Sequence, residues 1–164
     1  MKVKHGFVIR EVKEIDNKLI EDVLCKVMKE FNVPEQGTAL ADPELKEIFQ
    51  TYNKPKSIYY VLEKENMIFG GAGISKLRDC DKQICELQKM YFLNDARGKG
   101  LGKEVIDLCL KKAKLFGFKQ CYIETMFNMK SAQKLYLKKG FKYIENPIGN
   151  TGHSSCPVWM LKDL

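Results

Sequence analysis

Apolar and polar positions along this chain switch between two periods, and the switches outline a fold. Phe7 to Val12 reads as a first strand. Leu19, Ile20, Val23, Leu24, Val27, Met28 and Phe31 then recur at steps of three and four, one helical face, with Asp16 placed to cap it. A breaker-rich loop from Asn32 to Leu40 follows, and Asp42-Pro43 opens a short helix through Phe49. Ser57 to Glu63 and Met67 to Ile74 read as two strands about a turn at Lys64-Glu65-Asn66. Gly70, Gly71 and Gly73 inside the second predict a bulge or a close backbone approach. After a polar connection, Leu77 to Lys82, the run Ile84 to Leu93 reads as a central strand, closed by the turn-prone pair Asn94-Asp95.

Beyond that turn, Leu101, Val105, Leu108, Cys109, Ala113 and Phe116 lie at helical spacing, and Gly117 ends the run. Gln120 to Met126 is another strand, so strand, helix and strand predict a parallel pair with a right-handed crossover. Ala132, Leu135 and Tyr136 share the face of a further helix, with Asn128 as its cap and Gly140 at its end. Phe141 to Ile144 and Pro157 to Leu161 would close the sheet, and the segment between them is turn chemistry. The reading is one α/β (α+β) domain over residues 1–164: a mixed sheet of six or seven strands flanked by about four helices.

Composition narrows the class. The 164 residues are 45% hydrophobic, enough for a sizeable core in an ordinary globular chain. No apolar run approaches the ~20 residues that span a bilayer, and the first residues lack a signal-type apolar segment. A cytoplasmic protein with no membrane partner is therefore expected. The six cysteines include no Cys-x-x-Cys pair, which favours free thiols in a reducing compartment over disulfides or a metal. A formal charge of +7 and a pI near 9.0 favour an anionic partner. Lysines are spread along the whole chain among acidic residues, and aromatics are not interleaved with basic residues as nucleic-acid stacking requires. Nucleic acid is accordingly not expected as a partner.

The chemistry concentrates between Glu86 and Gly102. A strand, a glycine-rich turn and a helix start together present free backbone N–H groups and a partial positive charge to a phosphate. Gly98, Gly100 and Gly102 do not fit the phosphate-binding loop of nucleotidases, nor the Gly-x-Gly-x-x-Gly dinucleotide fingerprint. By themselves they also fit a loop that merely turns the chain. The run Arg97-Gly98-Lys99-Gly100-Leu101-Gly102, however, resembles the Arg/Gln-x-x-Gly-x-Gly/Ala signature of the GNAT superfamily of acetyl-CoA-dependent N-acetyltransferases. Leu135-Tyr136-Leu137-Lys138-Lys139-Gly140-Phe141 is similar to that superfamily's Leu-Tyr-x-x-x-Gly-Phe, in the right order and at a plausible distance. The resemblance runs from Ile9 to Leu161.

The resemblance implies acetyl-CoA as co-substrate and an amine on a small molecule or peptide as acceptor. It also implies direct attack in a ternary complex, with no metal and with a homodimer as one option for assembly. The central strand would splay from the next, so that Met90, Tyr91 and Phe92 bind the pantetheine arm. Backbone N–H groups from Arg97 to Gly102 would take the pyrophosphate, with Arg97, Lys99 and Lys103 adding charge. Tyr136 would be the general acid for the departing thiolate. Glu86 is the candidate base; at ~3.3 Å per residue it stands about 13 Å along the strand from Met90 and would act through water. Pairing with Lys89 is its structural alternative. Glu35, Gln36, Thr38, Glu124 and His153 are candidate acceptor contacts; Glu124 is also the next carboxylate to consider as base and His153 a third choice, for proton relay, and the Thr151–Ser155 loop would shape acceptor choice. Two positions depart from the family pattern: Asn94 where proline is common, and Met129, with Asn128 beside it, where an asparagine often contacts pantetheine. A CoA-binding regulatory module without turnover is the alternative reading.

Overall fold

The computed structural model describes residues 2–80 and 83–164; Met1 and the end of the expected polar connection, Asp81 and Lys82, lie outside them. Among the described residues, eight strands form one mixed sheet: β1 (Lys2–Lys4), β2 (Phe7–Glu11), β3 (Ile58–Lys64), β4 (Met67–Lys76), β5 (Ile84–Phe92), β6 (Gln120–Thr125), β7 (Lys142–Tyr143) and β8 (Val158–Asp163). Their spatial order is β1-β2-β3-β4-β5-β6-β8-β7. Four α-helices cover it: α1 (Asn17–Glu30), α2 (Ile48–Tyr52), α3 (Leu101–Leu115) and α4 (Lys130–Lys138). The addition to the expected sheet is β1, whose Lys-Val-Lys sequence has too little apolar pattern to announce a strand.

Alternation along the strands sends successive side chains to opposite faces. Val61 and Tyr59 pack with Ile20, Leu24 and Met28 of α1 and Ile48 of α2. Leu62 and Tyr60 pack on the other face with Val105, Ile106 and Cys109 of α3 and with Tyr136 and Phe141. Each fully buried aliphatic side chain contributes about 1.5–3 kcal/mol, so this face presses the start of α3 against β5. All six cysteines are free thiols, as their spacing implied.

Two expected caps take other partners. Asp16 makes no cap bond to α1; its carboxylate accepts from Arg10 at 2.7 and 2.9 Å and from the Lys13 N–H at 2.7 Å. A guanidinium offers more donors than a helix end, and it wins. Asn128 does not cap α4, which starts after Met129; its amide donates to the Phe31 carbonyl at 2.7 Å. The expected short helix from Asp42 to Phe49 is a 3-10 turn, Pro43–Glu47, running into α2.

The feature that shapes the site is a bulge. Gly71 pairs with Tyr91 and Gly73 with Gln88, so Ala72 faces two residues of β5, Lys89 and Met90. Lys89 takes a left-handed backbone there, with φ 50°, which a non-glycine residue seldom adopts. On its other side β5 runs parallel to β6 for only three pairs, Ile84↔Gln120, Cys85↔Cys121 and Glu86↔Tyr122. Past Glu86 the strands part, while β6 stays on β8 as far as Thr125↔Val158.

β3 must lie close to β4 for this geometry to hold. A Cβ on Gly71 would stand 2.5 Å from both the Tyr60 carbonyl oxygen and Tyr59 Cε1. Gly71→Ala is expected to cost about 1–3 kcal/mol, roughly 2–12 °C in Tm for a chain of this size, measured by thermal denaturation.

Candidate functional site

The parted strands open a cavity of about 260 Å³. Met90, Tyr91 and Phe92 of β5 form one wall, and the loop and first turn of α3, from Arg97 to Lys103, form the second. Met129, just before α4, and Ala132 and Leu135 within it close the third side, and Val27 of α1 and Phe31 just after that helix close the top. Gly98 and Gly100 both sit at φ 72°, where a side chain would be strained. This turns successive N–H groups of the loop outward just before the unpaired donors of α3. Among the described residues, no acceptor meets the N–H of Gly98, Lys99 or Gly100. A Cβ at Gly102 would meet Leu135 at 3.4 Å and Met90 at 3.5 Å, so its absence lets α3 begin close to both.

The sequence-predicted residues of this half divide by role. Arg97 lines the cavity, but its guanidinium is committed elsewhere. It grips both carboxylate oxygens of Glu30 at 2.6 and 2.9 Å, donates to the Phe92 carbonyl at 2.8 Å and stacks over Phe31. Its N–H bonds to the Asn94 carbonyl. Arg97 thus braces the loop against α1 and β5 in place of offering a free charge. Lys99 is exposed, Lys103 pairs with Asp107 at 3.3 Å, and Asn128, held by Phe31, is not among the lining residues.

A second, polar group of residues gathers where the strands part. Glu86, the last paired residue, is 4% exposed and accepts from Gln88 Nε2 at 2.6 Å, with Gln88 fixed in turn by the Tyr52 hydroxyl at 2.7 Å. Burial pushes its pKa up to about 7, against smaller opposing effects of the Gln88 hydrogen bond and of His153. Across the fork, Glu124 accepts from the Tyr122 hydroxyl at 2.7 Å and the Thr151 hydroxyl at 2.5 Å. His153 is brought in by its loop: Nε2 lies 3.0 and 3.1 Å from the Asp42 carboxylate, and Nδ1 lies 4.0 Å from Glu124. Burial lowers the His153 pKa, but the hydrogen bond and charge of Asp42 outweigh it and raise the net value. Burial likewise raises Asp42, and the His153 hydrogen bond with the Lys89 charge brings it below the ordinary carboxylate value. Glu86, Glu124 and His153 offer ligand atoms within 4.8 Å of one another, a spacing that could hold a cation. The hydrogen bonds just described already account for the orientations of Glu124 and His153.

Lys89 does not pair with Glu86. The bulge turns it toward Asp42, which it meets at 2.9 Å while almost wholly buried. Asp42 is the residue that sequence reasoning missed, because Asp-Pro read as a helix start. The expected acceptor contacts Glu35 and Gln36 are exposed and line none of the described cavities. Tyr136 is buried beside Phe141, with ring centroids 6.0 Å apart, and burial raises its pKa. Its hydroxyl makes no hydrogen bond among the described residues, and it lies within electrostatic reach of Tyr91 in the cavity wall.

The acetyltransferase (GNAT) family matches residues 24–141. A protein of Escherichia coli strain K12, named the uncharacterized N-acetyltransferase YjgM, is 42% identical over 158 residues, or 96% of this chain and 95% of that protein. A GNAT-family acetyltransferase structure from Staphylococcus aureus Mu50 superposes with a TM-score of 0.85 at 20% identity, covering 96% of this chain and 98% of that one. The PaiA N-acetyltransferase of Thermoplasma acidophilum, solved in complex with coenzyme A, gives a TM-score of 0.72 at 14% identity, over 96% of this chain and 99% of that one.

The raised pKa of Glu86 carries a stability consequence. A carboxyl whose folded pKa is about 7 against an ordinary 4.5 favours the fold while protonated, and that contribution is lost as pH climbs from about 4.5 through 7. Glu86→Gln keeps an acceptor for Gln88 without the charge. Its Tm is expected to exceed that of the wild type at pH 8 and to converge with it near pH 4, as read by thermal melts across pH.

Proposed function

Since the chain belongs to the acetyltransferase (GNAT) family and is an acyltransferase, we propose that it moves an acetyl group from acetyl-CoA to a primary amine by direct attack in a ternary complex. The observation that carries this reading is the fork itself. One cavity with free N–H donors at its mouth runs along β5 beyond the point where that strand leaves β6, and the last residue paired there, Glu86, is a buried carboxyl with a pKa near 7.

In this reading the N–H groups of Gly98 to Gly102 and the start of α3 hold the coenzyme's pyrophosphate, and the pantetheine arm follows the unpaired edge of β5 past Phe92 and Met90. Lys99 and Lys103 add charge at the surface. A backbone N–H near the bulge stabilises the tetrahedral oxyanion; such donors contribute about 10²–10³-fold. An acceptor ammonium with a pKa near 10.4 is only about one part in a thousand neutral at pH 7, so it must be deprotonated in place. Glu86 is the base, ionised in about half its population at pH 7 and in more of it above, and it reaches the acceptor ammonium through water. Tyr136, its hydroxyl free of other partners, supplies the proton that the thiolate takes. Glu124 and His153 border the acceptor, and the carboxylates Glu86 and Glu124 favour a cationic amine over an alcohol. Among the described residues no helix is long and apolar enough to cross a membrane.

A thiol-release assay with acetyl-CoA against a panel of small amines and peptide N-termini tests the class: at least one amine is expected to release CoA in proportion to acetylated product. Coenzyme binding by calorimetry with no release on any amine would replace the enzyme reading by a binding module. With the best amine, kcat/KM is expected to rise with pH through about 7 and then level. Glu86→Gln should remove that rise and most of the rate. Tyr136→Phe should lower kcat by about one to three decades with coenzyme affinity nearly unchanged, and an unaltered kcat would remove Tyr136 from the mechanism.

A further inference from the structure

A buried base must be emptied after every turnover. Acetyl transfer to an ammonium yields amide, free thiol and one proton. The first proton leaves nitrogen for Glu86 as the nitrogen lone pair forms the bond to the carbonyl carbon. When the C–S bond breaks, the thiolate takes a proton from Tyr136, which recovers one from the intermediate's nitrogen. The proton on Glu86 is the surplus, and Glu86 is 4% exposed. We propose that His153, oriented by Asp42, relays this proton from Glu86 to solvent. The inference rests on Glu86 acting as the base.

Geometry carries it. Asp42 occupies Nε2 of His153 at 3.0 and 3.1 Å, leaving Nδ1 to face the fork, 4.0 Å from Glu124. His153, Glu86 and Glu124 present atoms within 4.8 Å of one another, a span that one water bridges with two hydrogen bonds of about 2.8 Å. The His153 side chain is 13% exposed, and it lines, with Glu86, Asp42, Lys54 and Arg78, a narrow slot of about 70 Å³ beside the fork. Asp42 is itself pinned by Lys89 from the bulge at 2.9 Å, so the imidazole is held from behind by a neutralised carboxylate. Three ties keep the loop in place: the His153 N–H on the Thr151 hydroxyl at 3.1 Å, the Ser155 N–H on the Gly37 carbonyl at 2.9 Å, and the Asn150 N–H on the Arg78 carbonyl at 3.0 Å.

The charged groups around His153 are Asp42 from the turn before α2, Glu86 and Lys89 from β5, and Glu124 from β6, with Glu44, Lys54 and Arg78 along the slot. Asp42 raises His153 above the ordinary imidazole value and burial raises Glu86 to about 7, so the two shifts run in the same direction. Asp42 is a positioning residue; it touches neither the base nor the acceptor.

His153→Ala, assayed by thiol release with the best amine of the panel, is expected to lose about 10–100-fold in kcat with the KM for acetyl-CoA unchanged, and added imidazole should restore much of the loss. His153→Gln keeps an N–H for Asp42 and so guards the fold; its kcat should fall by at least about tenfold because an amide cannot titrate. Full kcat in either variant overturns the relay. So does a loss that imidazole leaves untouched while the KM for the amine rises, since that outcome makes His153 an acceptor contact. Substrate-free NMR gives an independent readout: the His153 C2–H resonance should titrate above the ordinary histidine value and fall in Asp42→Asn, and an unmoved titration overturns the orienting role. If instead Glu86→Gln keeps the rising limb of the pH profile, it is the assignment of Glu86 as base that fails.

Discussion

The site exists because β5 cannot stay beside β6. A strand with an unpaired edge inside a protein leaves N–H and C=O groups that must find partners, and burying them unpaired costs about 1–3 kcal/mol each. Here the edge is left open from Leu87 onward, while β6 stays paired with β8 along its other edge from Gln120 to Thr125. The bulge opposite Ala72 makes the divergence local, and the packing of α3 and α1 on the two faces of the sheet holds the strands apart. The open edge is thereby available to a ligand with amide groups of its own, and a pantetheine arm has such groups. Binding would complete the sheet in chemical terms without a further strand.

The same divergence sets the electrostatics. Glu86 is the last residue with a neighbour on both sides, so it is buried as deeply as the strands around it, yet it lines the narrow slot beside the fork. Burial is what lifts it toward neutrality; Gln88 and His153 work the other way and lose. Asp42 lies one layer further out and is about as constrained, but it has a lysine on one side and an imidazole on the other, and it stays a carboxylate. Two carboxyls close together are therefore held in different states by their neighbours, which allows one to take up a proton while the other holds the group that passes it on.

Much of this was legible in the chain. The period of three and four in α1 and α3, the paired strands about Asn66, and the strand, helix and strand around Gly98–Gly102 each rest on local pattern, and local pattern survives tertiary packing. The glycines at 70, 71 and 73 announced a close approach, and the bulge is there. Other parts depend on contacts between residues far apart in sequence. Asp16 and Asn128 sit where helix caps belong, but Arg10 and the Phe31 carbonyl are stronger or nearer partners, and nothing in the neighbouring residues says so. Arg97 read as a phosphate ligand because the glycines follow it; Glu30, on a different helix, claims its guanidinium.

The acceptor side was the least legible half, for a physical reason. It is assembled from loops, and loops are placed by single hydrogen bonds in place of periodic burial. Residues 34–45 and 146–156 meet through Ser155 on Gly37 and His153 on Asp42, while Asn150 ties the second loop to Arg78. A Cβ on Gly37 would stand 2.6 Å from Ser154 Oγ and 2.7 Å from Ser155 Oγ, so the contact is close enough to need glycine. Each loop alone reads as turn chemistry; only their junction produces a half-buried carboxylate, an oriented imidazole and a narrow slot. The coenzyme half is built from a strand edge and a helix start, and so carries a sequence signature. The half proposed to meet the acceptor is a clasp between two irregular segments, held by the ties just named. Under the proposed function, that division separates the coenzyme cleft from the choice of amine, which falls to the segments about which single-sequence patterns say least.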